Sequence, residues 1–307
     1  MWVRTLEPAL GTGTVTILGA GWGRGAQDRA CRSGPGALRQ AGLVAWLEER
    51  GIPAHWQETV AVRGEVPGSL MVETVAGLCR QLAQRVEDLV AGDAFFAVLG
   101  GDHSCAVGTW SGAARAVGTG GALGLIWVDA HMDSHVPETS PSGALHGMPV
   151  ACLLGFGAPP LTAVGTPGAA ISPHNVCLIG VRSFEAEEAA LLQRLGVRVF
   201  VMEEVMDRGL QCVFEEALEI VRNGTVGFGL SIDLDALDPM DAPGVGSPVP
   251  GGLRARDLVR ALQRVSRVRG FVGIEIAEFN PDQDHNGVTG LIVRNLLTAA
   301  IPPEGAP

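Results

Sequence analysis

Short apolar runs separated by longer amphipathic stretches, repeated along the chain, limit what this sequence can fold into. The runs Val15–Leu18, Ala94–Leu99, Leu123–Val128, Val176–Ile179, Val197–Val201, Val226–Ile232 and Val272–Ile276 read as strands. Between them, apolar residues recur at helical spacing over Ala37–Glu49, Val72–Val90, Cys105–Val117, Glu185–Leu195, Leu210–Arg222, Ala255–Val268 and Thr289–Ala300. A strand with one wet face alternates polar and apolar residues. LGLIWVD (123–129) and GFGLSID (227–233) do not alternate, so both their faces are covered. The pattern predicts an α/β fold of three layers, a mostly parallel sheet between two layers of helices. No linker, repeat or low-complexity tract interrupts it, and residues 1–307 are expected to form a single domain. The Gly/Pro-rich segments 155–173 and 239–252 read as long loops, which in a compact domain are often functional. The last residues, PPEGAP, are expected to fray.

Polar clusters follow four of the runs. Gly100-Gly101-Asp102-His103-Ser104 follows the second, Asp129-Ala130-His131-Met132-Asp133 the third, Asp233-Leu234-Asp235 with Asp238 the sixth, and Glu278 with Asn280 the last. In a parallel sheet these lie on one edge, at the carboxyl ends where ligands bind. While the chain stays extended, Asp129, His131 and Asp133 point the same way, as do Asp233 and Asp235. Carboxylates aimed into one crevice repel, and divalent cations relieve that repulsion. So many carboxylates with two imidazoles exceed what one ion takes and suit two; hard oxygen donors with a minority of His favour manganese, with magnesium or iron as competitors. The expected ligands are His103, Asp129, His131, Asp133, Asp233 and Asp235. The bland reading of each residue alone is a helix cap or a satisfied polar side chain. Asp102 is read as a turn or supporting residue. The Gly-Gly turn is expected to expose His103.

Charge and composition remove other chemistries. Lys and Arg total 22 and Asp and Glu 33, for a net charge of −11, which disfavours nucleic acid and anionic membranes and mildly attracts a cationic substrate. Every one of the 22 is Arg, and Tyr is absent, so lysine Schiff bases, phosphate-loop lysines and a tyrosine acid are excluded. The cysteines Cys31, Cys79, Cys105, Cys152, Cys177 and Cys212 form no C-x-x-C pair and are read as buried thiols of a reducing compartment. MWVRTLEPALGTG lacks the apolar core of a signal peptide, and no run reaches ~18 apolar residues. A cytoplasmic protein with no membrane contact is expected.

The motifs GGDHS (100–104), DAHMDSH (129–135), SGALHGMPVA (142–151), SIDLDALDP (231–239), GSPVPGGL (246–253) and IEIAEFNP (274–281) together resemble the ureohydrolase family of arginases, agmatinases and related guanidino-compound hydrolases. The likeness covers nearly the whole chain and is strongest to bacterial-type arginases. It implies an eight-stranded parallel sheet, with Ala54–Gln57 as the strand that periodicity misses. It implies two manganese ions per chain: His103, Asp129, Asp133 and Asp233 on one, Asp129, His131, Asp233 and Asp235 on the other, with Asp129 and Asp233 bridging. Two such ions ~3.5–4 Å apart lower the pKa of a bridging water, and the resulting hydroxide attacks a guanidinium carbon to release urea and an amine. By the same likeness His146 donates the proton the departing amine needs, Asp133 also moves a proton, and Glu278 pairs with the guanidinium. Homotrimers or homohexamers are implied as well.

Substrate choice depends on how the far end is read. In arginases an Asn two residues beyond D-x-H-x-D, with an S-G-N run, helps hold the α-carboxylate; here stand His135 and Ser142-Gly143-Ala144. His135 is expected to donate in place of that Asn, and Ser142 is kept, whereas Ala144 has no donor. Glu185 stands where arginases place an acid facing the α-amino group. Ser247, in the GSPVPGGL loop, completes the expected substrate contacts. L-arginine is the favoured substrate, ahead of agmatine or a guanidino acid. Two readings of other classes compete. Gly21-Trp22-Gly23-Arg24-Gly25-Ala26 nearly fits a dinucleotide fingerprint, which requires a helix to start there. A non-catalytic regulatory protein on the same fold is the other, although no expected ligand is missing.

Overall fold

The computed structural model describes residues 14–61, 67, 70–165 and 168–302. Eight parallel strands form one sheet: β1 (Val15–Gly21), β2 (Ala54–Ala61), β3 (Phe96–Gly100), β4 (Ala122–Val128), β5 (Val176–Val181), β6 (Arg198–Val201), β7 (Thr225–Asp233) and β8 (Phe271–Ala277), in the order β2-β1-β3-β8-β7-β4-β5-β6. The four middle strands are buried nearly throughout, as their unbroken apolar runs require, while the edge strand β2 alternates buried and wetter positions. That half-wet alternation, AHWQETVA, is why no apolar run marks β2 in the sequence.

Successive strand residues face opposite layers, so the sheet divides two cores. Ala97, Leu99, Ile126, Val128, Leu230 and Ile274 pack with the helices Leu43–Glu48, Leu210–Arg222, Ala255–Val265 and Val288–Ala300. Val98, Leu125, Trp127 and Leu178 pack with Met71–Ala91 and Ala106–Val117. On this second face Gly229 lies beneath Trp110, whose ring would be 1.9 Å from a Cβ.

The structure departs from the sequence expectation in several places. The helix expected over Ala37–Glu49 is two, Gly34–Gln40 and Leu43–Glu48, divided at Gly42, whose φ of 79° an α-helix cannot contain. Short helices at Met202–Arg208, Pro149–Leu153 and Pro159–Thr162 carry too few turns to show a period, and the last lies inside the expected loop 155–173. Cys212 is exposed, not buried, because it lies on the outer face of its helix. No helix starts at the glycine fingerprint. Residues 22–29 form an irregular loop, a short 3-10 turn follows over Ala30–Ser33, and the next α-helix waits until Gly34. The expectations for the first 13 residues and for 303–307 lie outside the described residues.

Candidate metal centre

The carboxyl ends of β3, β8, β7 and β4 are neighbours, and each delivers one polar cluster. β4 and β7 pair with Val128 opposite Ile232, so Asp129 and Asp233 leave the sheet side by side. Both then fold the same way. Asp129 Oδ1 accepts from His131 N–H (2.7 Å) and Asp233 Oδ1 from Asp235 N–H (2.8 Å). The chain is therefore not extended here, and alternation is not what aligns these residues. Two matching Asx turns bring each i+2 side chain back beside its Asp. Asp133 joins through a left-handed backbone, φ 48°. Arg182, after β5, donates to the carbonyls of Asp235, Ala236, Val249 and Pro250 and ties the Asp235 turn to the 239–252 loop. Asp238 serves that loop, accepting from Met240, Gly251 and Gly252 N–H.

His103 Nδ1 lies 3.2 Å from Asp129 Oδ2, 3.3 Å from Asp133 Oδ2 and 3.1 Å from Asp233 Oδ2. His131 Nδ1 lies 3.4 Å from Asp129 Oδ1 and 3.1 Å from Asp235 Oδ2. Ligands ~2.1 Å from a shared ion and at right angles sit ~3 Å apart, so two ions fit these two groups, with Asp129 common to both. His103 Nδ1 and Asp133 Oδ2 are fully buried without a hydrogen-bond partner, as atoms reserved for an ion would be. Contrary to expectation the Gly-Gly turn does not expose His103, which is wholly buried in a short 3-10 turn.

The charges are coupled. Burial raises the carboxyl of Asp133 to about 7, with the Asp129 charge adding to it. Asp233 and Asp235 are raised by burial and neighbouring carboxylates. Burial opposes protonation of His131, but Asp129 and Asp235 outweigh it and push the imidazole up to about 12. This is the electrostatic form of a site that holds protons where it lacks cations.

Supporting groups escaped sequence reading. Ser231 Oγ donates to Glu275 Oε1 (2.9 Å) and so accepts from His103 Nε2 (3.0 Å), leaving Nδ1 bare for an ion. Thr109 donates to the other Glu275 oxygen. Trp127 Nε1–H donates to Asp129 Oδ2 (2.9 Å), and its ring stacks on His103 with centroids 4.1 Å apart. The available signal was polarity inside an apolar strand: Ser231 and Glu275 interrupt runs that have no other reason to be interrupted.

Glu278 is nearly fully buried, with φ 64°. Its Oε1 accepts from His103 N–H (3.0 Å) and from His146 Nδ1 (3.0 Å). Burial opposes the charge on His146, yet the Glu278 carboxylate outweighs it and holds the imidazole near a pKa of about 9. Asp102 accepts from Gly25 N–H (2.7 Å) and Ser104 N–H (3.0 Å), and Gly25 O accepts from His146 N–H (3.1 Å). The glycine-rich loop is therefore a brace between Asp102 and His146. A Cβ at Gly25 would lie 2.5 Å from Asp102 Oδ1.

The remaining expected residues are dispersed. His135 and Glu185 meet at 3.0 Å beside Glu188. Ser142 is exposed and accepts from Ala144 N–H in its own loop. Ser247 is half-buried in the loop next to Gly246, where a Cβ would lie 3.0 Å from Glu278 Oε2. Asn280 closes a turn, its side chain accepting from Asp282 N–H.

The sequence profile of the Arginase family matches residues 13–301. The chain belongs to the arginase family. It is 38% identical over 291 residues to the arginase of Bacillus caldovelox, across 92% of this chain and 96% of that enzyme. The crystal structure of Bacillus subtilis arginase superposes with a TM-score of 0.87 at 35% identity, covering 94% of this chain and 99% of that one. Entamoeba histolytica arginase in complex with L-ornithine superposes at 0.83 with 28% identity, covering 94% and 97%. The arginase-family fold is thus the eight-stranded sheet described above, and the protein is a hydrolase of the guanidino group.

Proposed function

We propose that the protein hydrolyses L-arginine to L-ornithine and urea at a pair of manganese ions. The observation that carries the reading is the double convergence of His and Asp around His103 Nδ1 and His131 Nδ1, with Asp129 common to both. His103, Asp129, Asp133 and Asp233 would hold one ion and Asp129, His131, Asp233 and Asp235 the other. Such a pair supplies a nucleophilic hydroxide at neutral pH by lowering the pKa of bound water. Oxygen-rich donors support manganese over softer metals.

The chain's own residues supply the rest. Water adds to the guanidinium carbon, and the bond from that carbon to the substrate's chain nitrogen breaks. Glu278, fixed by His103 N–H and His146, presents a carboxylate to the planar cation and orients it. His146 is protonated at neutral pH because Glu278 holds it so, and its imidazolium gives a proton to the departing amine. Asp133, a ligand of the first ion in this reading, is also the second group that moves a proton. Ser142 and Ser247 line the approach, and Glu185 takes the ammonium group of the substrate.

Urea release from L-arginine by the manganese-loaded protein tests this reading; urea from agmatine or 4-guanidinobutyrate but not from arginine would overturn it. A cytoplasmic trimer or hexamer is part of the same reading. No helix among the described residues is long and apolar enough to cross a membrane.

A further inference from the structure

His135 takes the position where the family resemblance suggested a donor to the substrate's carboxylate. Its surroundings assign it otherwise. Nε2 lies 3.0 Å from Glu185 Oε2 and 3.4 Å from Glu188 Oε2. A carboxylate only accepts, so Nε2 carries a hydrogen in either protonation state and that hydrogen is already used. Nδ1 lies 3.1 Å from Thr139 Oγ1, which itself accepts from Val136 N–H (3.1 Å). Both ring nitrogens are therefore engaged, and the residue is 6% exposed.

Glu185 is the opposite case. Its side chain is 53% exposed, although it begins the helix Ala186–Leu195 and is held there by a reciprocal capping box with Glu188. Glu188 is fixed in turn by Ser134 N–H (3.1 Å). The cluster borders the catalytic loop, because His135 N–H donates to Gly147 O (3.0 Å), the residue after His146. A half-open carboxylate beside that loop, braced from behind by a buried imidazole, is built to take a cation from the solvent side.

We propose that His135 is a positioning residue: the chain Thr139–His135–Glu185 aims the Glu185 carboxylate at the ammonium group of the substrate, and His135 does not itself bind the substrate's carboxylate. The inference rests on the proposed arginine hydrolysis and refines how that site reads its substrate. Recognition then depends on the amino group through His135, and any contact to the carboxylate is made by other groups.

Three substrates separate the alternatives. L-arginine carries both groups, agmatine only the amine, and 4-guanidinobutyrate only the carboxylate. Urea release by the manganese-loaded protein and its His135→Ala variant is measured for each, and KM and kcat are separated. The expected result is a KM increase for arginine and agmatine roughly tenfold greater than for 4-guanidinobutyrate. Thr139→Val, which keeps the ring and removes one brace, gives the same pattern more weakly. In a Glu185→Gln background the His135→Ala change adds little, since both act through one carboxylate. Parallel losses for arginine and 4-guanidinobutyrate with agmatine spared would make His135 the carboxylate donor and overturn the proposal. Equal losses on all three would reduce His135 to a structural residue and also overturn it. Urea from none of the three in the unaltered protein would defeat the parent reading itself.

Discussion

Asp133 and Glu278 hold φ values of 48° and 64°, a region that costs an L-residue with a side chain ~1–2 kcal/mol. Both sit where the site needs a side chain turned against the run of its strand, which is how such strain is normally sustained. Glu278 then meets His146, and this contact carries a pH prediction. His146 is held at about 9, above the ordinary 6.5, so the stabilisation from its charge is complete below ~6.5 and is lost as pH rises through about 9. Glu278→Gln removes the attraction but leaves burial in place. In the metal-free variant, NMR titration should therefore find the His146 midpoint at or below ~6.5. A midpoint still near 9 would show that another group holds the proton. Asp133→Asn should keep the fold, by circular dichroism, and lose nearly all turnover. Ser231→Ala frees the His103 ring and should weaken manganese binding ~10–100-fold, read by metal titration of the apoprotein.

The strands and most helices are legible because each buries a face whose period reports its type. Leu210–Arg222 shows this well, its expected and observed limits being the same. What was not legible came from positions where one residue outweighs a pattern. Gly42 breaks a helix that periodicity would continue, and β2 is a half-wet edge without an apolar run. At the site, the converging residues could be read from D-x-H-x-D and D-x-D, but the reason for their convergence could not. Strand parity picked out residues that do converge, but for the wrong cause, because Asx turns at Asp129 and Asp233 do the aligning. The glycine-rich loop shows the converse: its spacing suggested a nucleotide, while its Gly25 serves close approach to Asp102. Gly25→Ala should accordingly cost ~1–3 kcal/mol in denaturant unfolding and lower activity by displacing the His146 loop. An unchanged unfolding midpoint would remove the bracing role.

At the scale of the whole molecule, the two helical layers and the sheet exist to hold four strand ends within one crevice, inside a chain of net charge −11. Without cations that crevice is protonated: His131 at about 12 and Asp133 at about 7 must give up protons before they can bind metal. Manganese binding should therefore release protons, visible as a buffer-dependent heat in calorimetry. The gain in melting temperature from manganese should also grow as pH rises through ~7. A chelator should reverse it, since an ion at ~1,000 times its Kd stabilises by ~4 kcal/mol. The most direct test of the whole account is urea release from L-arginine while manganese is titrated into the apoprotein. Activity should rise to a plateau at about two ions per chain. A plateau at one ion, or no urea from arginine at any manganese content, would contradict it.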